Sequence, residues 1–138
     1  MRAIADTGFL VAFANRRDSH FAWAYAIAEQ IHEPLLTCEA VLAETAFHLQ
    51  DSALVLGMLD SGLISLAFDM ESHRVELARL AVRYADRRPD LADLCLIRMS
   101  ELNLDHPVIT VDGDFRIYRR NKREIIPLHD GAKRSQGG

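Results

Sequence analysis

Ala3-Ile4-Ala5-Asp6-Thr7-Gly8-Phe9-Leu10-Val11-Ala12-Phe13-Ala14 sets an acid between two apolar stretches. The residues before Asp6 read as a short buried strand, and the apolar run after Gly8 reads as a helix. Asp6 then stands where a strand ends and a helix begins. In an open α/β sheet that position lies at the carboxyl edge, where ligands bind. Two readings stay open here. Asp is a favoured N-cap, accepting from the first amides of a helix. Alternatively, Asp6 is the first carboxylate of a metal site to which later segments bring others.

Outward from this stretch, short strands alternate with helical patterns. Strands are expected near residues 2–5, 35–37, 63–67, 107–110 and 124–127, with helices at about 20–31, 39–50, 52–59, 71–84 and 91–102. The alternation predicts βαβ units and a five-stranded parallel sheet with helices on both faces, a three-layer α/β/α sandwich. Right-handed crossovers bring the relevant strand ends to one edge. The first and fourth strands should be neighbours. In the helix over 71–84, Val75, Leu77, Ala78, Ala81 and Val82 are placed inward and Arg74, Glu76, Arg79 and Arg83 outward. The small, polar stretch 131–138 is expected to be a disordered tail after a single domain spanning 1–130.

Composition narrows the classes. A chain of 138 residues corresponds to one domain, and 49% hydrophobic with 26% charged residues is ordinary for a soluble globular protein. A net charge of −4 excludes a globally basic nucleic-acid binder but permits a local basic patch. Cys38 and Cys95 are far apart in sequence, without CxxC or zinc-site spacing. Two thiols and no evident secretory signal fit a reducing cytosol, so a cytoplasmic location is expected. No apolar run reaches the ~18 residues of a membrane helix. Neither GxxxxGK[ST], GxGxxG nor HExxH occurs, and the histidines are scattered with no triad context.

The remaining acids carry the chemistry. Glu44 has Ala40, Val41, Phe47 and His48 three and four positions away, so it borders an apolar helix face rather than standing wholly in water. It reads equally as a surface Glu favoured by the helix dipole. Asp93 lies inside Leu91-Ala92-Asp93-Leu94-Cys95-Leu96-Ile97 and shares the face of Leu96 and Ile97. A buried carboxylate there needs a partner or a metal, unless it turns to its own backbone amides. Asp112 and Asp114 follow Val108-Ile109-Thr110-Val111, again at the carboxyl end of a strand, where an Asx turn around Gly113 is the plainer reading. Several carboxylates on one edge repel each other and call for divalent cations, and hard oxygen ligands select Mg²⁺ or Mn²⁺.

The order and spacing of these segments resemble the PIN domain family, and within it the VapC-type toxin ribonucleases of type II toxin–antitoxin systems. The likeness runs from about Ile4 to Leu128. It is carried by Ile4-Ala5-Asp6-Thr7-Gly8-Phe9-Leu10, Val41-Leu42-Ala43-Glu44-Thr45, Leu91-Ala92-Asp93-Leu94 and Ile109-Thr110-Val111-Asp112-Gly113-Asp114-Phe115. The turn Asp18-Ser19-His20, with Trp23 beyond it, is also similar. The resemblance implies that Asp6, Glu44, Asp93 and Asp112 hold one or two Mg²⁺ or Mn²⁺ ions and cut RNA. Asp114 would then be an outer or second-metal ligand, and Thr7 and Thr110 hydroxyls supporting those acids. It further implies a cognate antitoxin and a homodimer. One departure is Leu94-Cys95, where smaller residues are commoner in the family.

For the RNA, Arg16, Arg116, Arg119 and Arg120 are the expected phosphate contacts, with Arg17, Arg87, Arg88, Lys122 and Arg123 as others. Two rival functions remain. A PIN-like domain could bind RNA or act as a scaffold without cleaving. A phospho-acceptor receiver module also gathers acids around Mg²⁺, but it wants an acid pair after the first strand and a lysine after the last, and this chain has neither.

Overall fold

The computed structural model describes residues 1–130; the tail expected over 131–138 lies outside the described residues. β1 (Ile4–Ala5), β2 (Leu35–Thr37), β3 (Ile64–Leu66) and β4 (Val108–Thr110) form the body of the sheet. A hairpin of β5 (Arg119–Arg120) and β6 (Glu124–Ile125) follows, and then β7 (Leu128–Asp130). The main sheet has five parallel strands in the order β3-β2-β1-β4-β7. Ile4 pairs with Val108 and Ala5 with Ile109, so the first and fourth strands are neighbours as expected.

The fifth strand differs from the expectation over 124–127. Asn121 and Lys122 take positive φ values of 48° and 74°, which folds the chain back and pairs Glu124–Ile125 antiparallel with Arg119–Arg120. Pro127 has no N–H for a ladder, but its carbonyl accepts the Val108 amide at 2.8 Å, and Leu128 then enters the sheet beside β4.

Six helices flank the sheet among the described residues: α1 (Thr7–Ala14), α2 (Phe21–Ala28), α3 (Glu39–Leu49), α4 (Ser52–Asp60), α5 (Arg74–Arg83) and α6 (Leu91–Leu102). Ile4, Ala5, Leu35, Val108 and Ile109 have no exposed surface. This is the continuous apolar character of strands covered on both faces. In α6, Ala92, Leu94, Cys95, Leu96, Ile97, Met99 and Ser100 are all buried, so this helix lies in the core rather than on it. In α5 the inward stripe is Leu77 and Leu80. Val75 and Val82, expected inward, are instead 50% and 78% exposed. At helical pitch they share an outer face with Ala78, between Arg74 and Arg79.

Candidate active site

β1 and β4 lie side by side, and the chain leaves them in opposite directions along the sheet: β2 follows on one side and β7 on the other. Ligands of open α/β sheets bind in the crevice at such a reversal. Asp6 ends β1 there and caps α1, with its Oδ1 accepting the Thr7 amide at 2.6 Å. The capping reading of Asp6 therefore holds. Thr110, the last residue of β4, donates its hydroxyl to Asp6 Oδ2 at 2.6 Å. The same hydroxyl accepts the Asp112 amide at 2.9 Å. Thr7 donates its hydroxyl to Glu44 Oε1 at 2.9 Å, which draws the middle of α3 to the start of α1. Asp112 Oδ1 accepts the Asp114 amide at 2.9 Å, at the head of a 3-10 turn over Gly113–Arg116. Gly8 admits the close approach of these segments, since a Cβ there would stand 2.5 Å from Val111 Cγ2.

The acids feel one another. Burial pushes the Asp6 carboxyl up to about 6, against the Thr110 and Thr7 hydrogen bonds, with the charges of Asp112 and Asp90 adding to the rise. Burial likewise lifts Asp93 to about 7, helped by Asp90, Asp112 and Asp6. Glu44 is raised by burial despite its bond to Thr7, with Asp90 and Asp6 contributing. Asp112 is raised by burial, and by the charges of Asp114 and Asp90, while the Asp114 amide opposes. The fold thus brings Asp6, Glu44, Asp93, Asp112 and Asp114 into one electrostatic neighbourhood.

Asp90 joins these acids although it is not among the site residues expected from the sequence. It does cap α6, accepting the Asp93 amide at 2.8 Å. It also raises Glu44, Asp93, Asp6 and Asp112 around it. Its spacing of three residues from Asp93, which places the two on one helix face, was the available signal.

The basic residues divide. Arg16 and Arg116 are exposed. Arg16 follows an eight-residue helix that leads away from Asp6, roughly 12 Å of chain at 1.5 Å per residue. Arg120 does not fit an RNA contact: it is 5% exposed, and its guanidinium donates to the Ser100 and Leu104 carbonyls at 3.1 Å. It anchors the hairpin onto the end of α6. Arg119 folds back and donates to the carbonyls of Arg116, Ile117 and Tyr118. Tyr118, within the same basic segment, is wholly buried against Phe115 and Tyr84.

This is a parallel α/β domain with an acidic site at the crevice where its strand order reverses. The PIN domain family matches residues 3–121, and the chain belongs to that family. PIN domains are generally nucleases that work with divalent metal ions. No curated protein matches the chain.

The donor set suits such an ion by chemistry and by charge, since clustered carboxylate oxygens gain most from a hard cation. As the side chains stand, no three His, Cys, Asp or Glu among the described residues converge as a ligand group. Asp6 has both oxygens engaged by threonines or amides, and Glu44 has one.

Proposed function

We propose that this chain is a Mg²⁺- or Mn²⁺-dependent endoribonuclease and the toxin of a VapC-type toxin–antitoxin pair. The observation that carries the reading is the gathering of Asp6, Glu44, Asp93 and Asp112, each raised first by burial and then by neighbouring acids, in a PIN domain. These four acids would hold the metal, with Asp114 and Asp90 beside them. A bound divalent ion supplies a water of lowered pKa and polarises a phosphodiester. The protein's own groups do the positioning. Thr110 and Thr7 fix Asp6 and Glu44. Asp93, lifted to about 7 by burial and its acidic neighbours, is a carboxyl that a bound cation would relieve by holding it ionised. Arg87, Arg88 and Arg116 are exposed on the turns that lead to Asp90 and away from Asp112, and suit phosphate contacts.

Incubating the purified chain with labelled single-stranded RNA tests this. Cleavage in Mg²⁺ or Mn²⁺, its loss in chelator and its loss in Asp93→Asn are the expected results. A second reading, RNA binding without cleavage, is favoured by the carboxylates' present engagement with threonines and amides. RNA retained intact in Mn²⁺ would select it.

A homodimer and an antitoxin belong to the same proposal. Apolar surface supports them: Phe47 is 79% and Leu56 61% exposed. A shallow groove of about 700 Å³ also runs along Val75, Ala78 and Val82, between Arg74 and Arg79. Apolar surface gathered in this way marks interaction sites. An antitoxin arginine would match paired carboxylate oxygens at the acidic edge. Light scattering of the chain alone tests the dimer, with a monomer at micromolar concentration counting against it.

A further inference from the structure

Cys38 and Cys95 are the only cysteines of the chain, and folding brings these sequence-distant residues together. Cys38 closes β2 and precedes α3, and Cys95 lies in the second turn of α6. Both are reduced and buried, at 2% and 0% exposure, and each thiol is the first influence on the other's ionisation. Neither has a part in the acidic site. The pair is nevertheless reachable. A cavity of about 290 Å³ has both cysteines in its wall, together with Glu39, Asp69, Met70 and Glu71.

We propose that Cys38 and Cys95 form a redox modification site, a thiol pair that a small uncharged hydroperoxide converts into a disulfide between the start of α3 and the early turns of α6. Both cysteines stand in the wall of one cavity and each dominates the other's electrostatics, and such proximity is the first requirement of a disulfide. Glu39, Asp69 and Glu71 make the cavity negative, so it disfavours anionic oxidants such as glutathione disulfide and admits a neutral peroxide. The hydrogen bond with Cys95 is the main cause holding the Cys38 thiol below its ordinary range, with burial opposing and the Val41 and Ala40 amides assisting. Cys38 also keeps a trace of exposure where Cys95 has none, so the peroxide reaches Cys38 first and Cys38 is the attacking sulfur.

The chemistry balances in two steps. The Cys38 sulfur displaces one peroxide oxygen, giving a sulfenic acid and an alcohol, or water when the oxidant is hydrogen peroxide. The Cys95 sulfur then attacks the sulfenic sulfur, the S–S bond forms and water leaves. The two thiol protons end in the two oxygen products. Two sulfurs are each oxidised by one electron, and the peroxide takes up both. A dithiol reductant reverses the bond. Its consequence for catalysis rests on the function proposed above, since α3 carries Glu44 and α6 carries Asp93, and the bond would fix the spacing of those two helices.

The experiment uses the full chain, reduced and then exposed to hydrogen peroxide or to glutathione disulfide. Intact mass, thiol alkylation and non-reducing peptide mapping are the readouts. Loss of two hydrogens, loss of both alkylatable thiols and a linked Cys38–Cys95 peptide, all reversed by dithiothreitol, are expected. Glutathione disulfide should act slower by about tenfold or more. Cys95→Ser should stop at a sulfenic acid on Cys38, trapped by dimedone; the wild-type mass shift decides without that variant. Persistent thiols, oxygen added to the cysteines separately, a glutathione adduct or a crosslink between chains would each overturn the proposal. The readout is thiol chemistry, so a chain found inactive on RNA would sink the nuclease reading and leave this one standing or falling by itself.

Discussion

Thr110 donates its hydroxyl to Asp6 across the β1–β4 pair at 2.6 Å and accepts the Asp112 amide at 2.9 Å through the same oxygen. One buried side chain thus ties the first acid of the site to the last. Thr110→Val keeps the shape and removes both bonds. It should cost roughly 1–3 kcal/mol, because a buried carboxylate oxygen and an amide lose their partners. Asp6 should titrate higher than in the parent. Urea denaturation and carboxyl NMR titration check the two effects, and unchanged values would show that the hydroxyl does not hold Asp6.

Stability should fall as pH rises through the window set by these acids. Asp6 and Asp93 have folded-state values of about 6 and about 7 against 3.8 for the free side chain. The native state therefore holds more protons than the unfolded chain between those values. The contribution is fully present below about 3.8 and is lost as pH climbs through 6 and 7. For Asp6 alone the shift corresponds to on the order of 3 kcal/mol. Denaturation at pH 5 and at pH 8 should show the lower value at pH 8, with Mg²⁺ or Mn²⁺ restoring part of it. A flat profile would contradict the cluster.

Asp93→Asn removes the carboxyl that burial and three neighbouring acids hold up to about 7. Folding should be unchanged or improved by roughly 1–2 kcal/mol at pH 8, since the charge left to bury is gone. Divalent-dependent RNA cleavage should disappear. Full activity in this variant would remove Asp93 from the site.

Asp90→Asn separates the two roles of Asp90. Asparagine caps a helix about as well as aspartate, so α6 should keep its start. The charge that raises Asp93, Glu44, Asp6 and Asp112 goes. NMR titration should find Asp93 lower than in the parent, with little change in melting temperature.

The two glycines near the acids should respond oppositely to alanine. At Gly8 a new Cβ would meet Val111 Cγ2 at 2.5 Å, whereas at Gly113 nothing stands within 4 Å. Gly8→Ala should lose about 1–3 kcal/mol by overpacking, and Val111→Ala in the same chain should restore most of it. Gly113→Ala should be close to neutral. Paired denaturation curves distinguish the sites.

Much of this arrangement is legible in the chain because the strands are short, apolar and bounded by acids. Asp6 and Asp112 each follow a short apolar segment, so both fall at the carboxyl edge of the sheet by pattern alone. The fifth strand is not legible. Glu124–Ile125 and Leu128–Asp130 are both extended, and only the positive φ of Asn121 and Lys122 assigns the former to a hairpin. Arg120 belongs to a basic run that reads as phosphate contacts, and nothing local shows that the carbonyls of Ser100 and Leu104 await it. Val75 and Val82 fit an inward stripe by period, but α5 packs on α6 and buries only Leu77 and Leu80. The cysteine pair is a product of long-range packing and leaves no spacing to read.

β1 contributes only Ile4 and Ala5 to the sheet, yet a strand lies on each side of it. The Ile4 amide donates to Pro107 at 2.9 Å, and the Asp6 amide to Ile109 at 3.1 Å. Those amides are rungs at the middle of the sheet and open to solvent deuterium only when the sheet itself comes apart. Asp112 and Asp114, by contrast, ride a single 3-10 turn, and Asp90 follows another over Ala85–Arg87. The site accordingly has a slow-exchanging floor and a fast-exchanging rim. Any adjustment to a ligand belongs to the rim, while Asp6 stays where the sheet puts it.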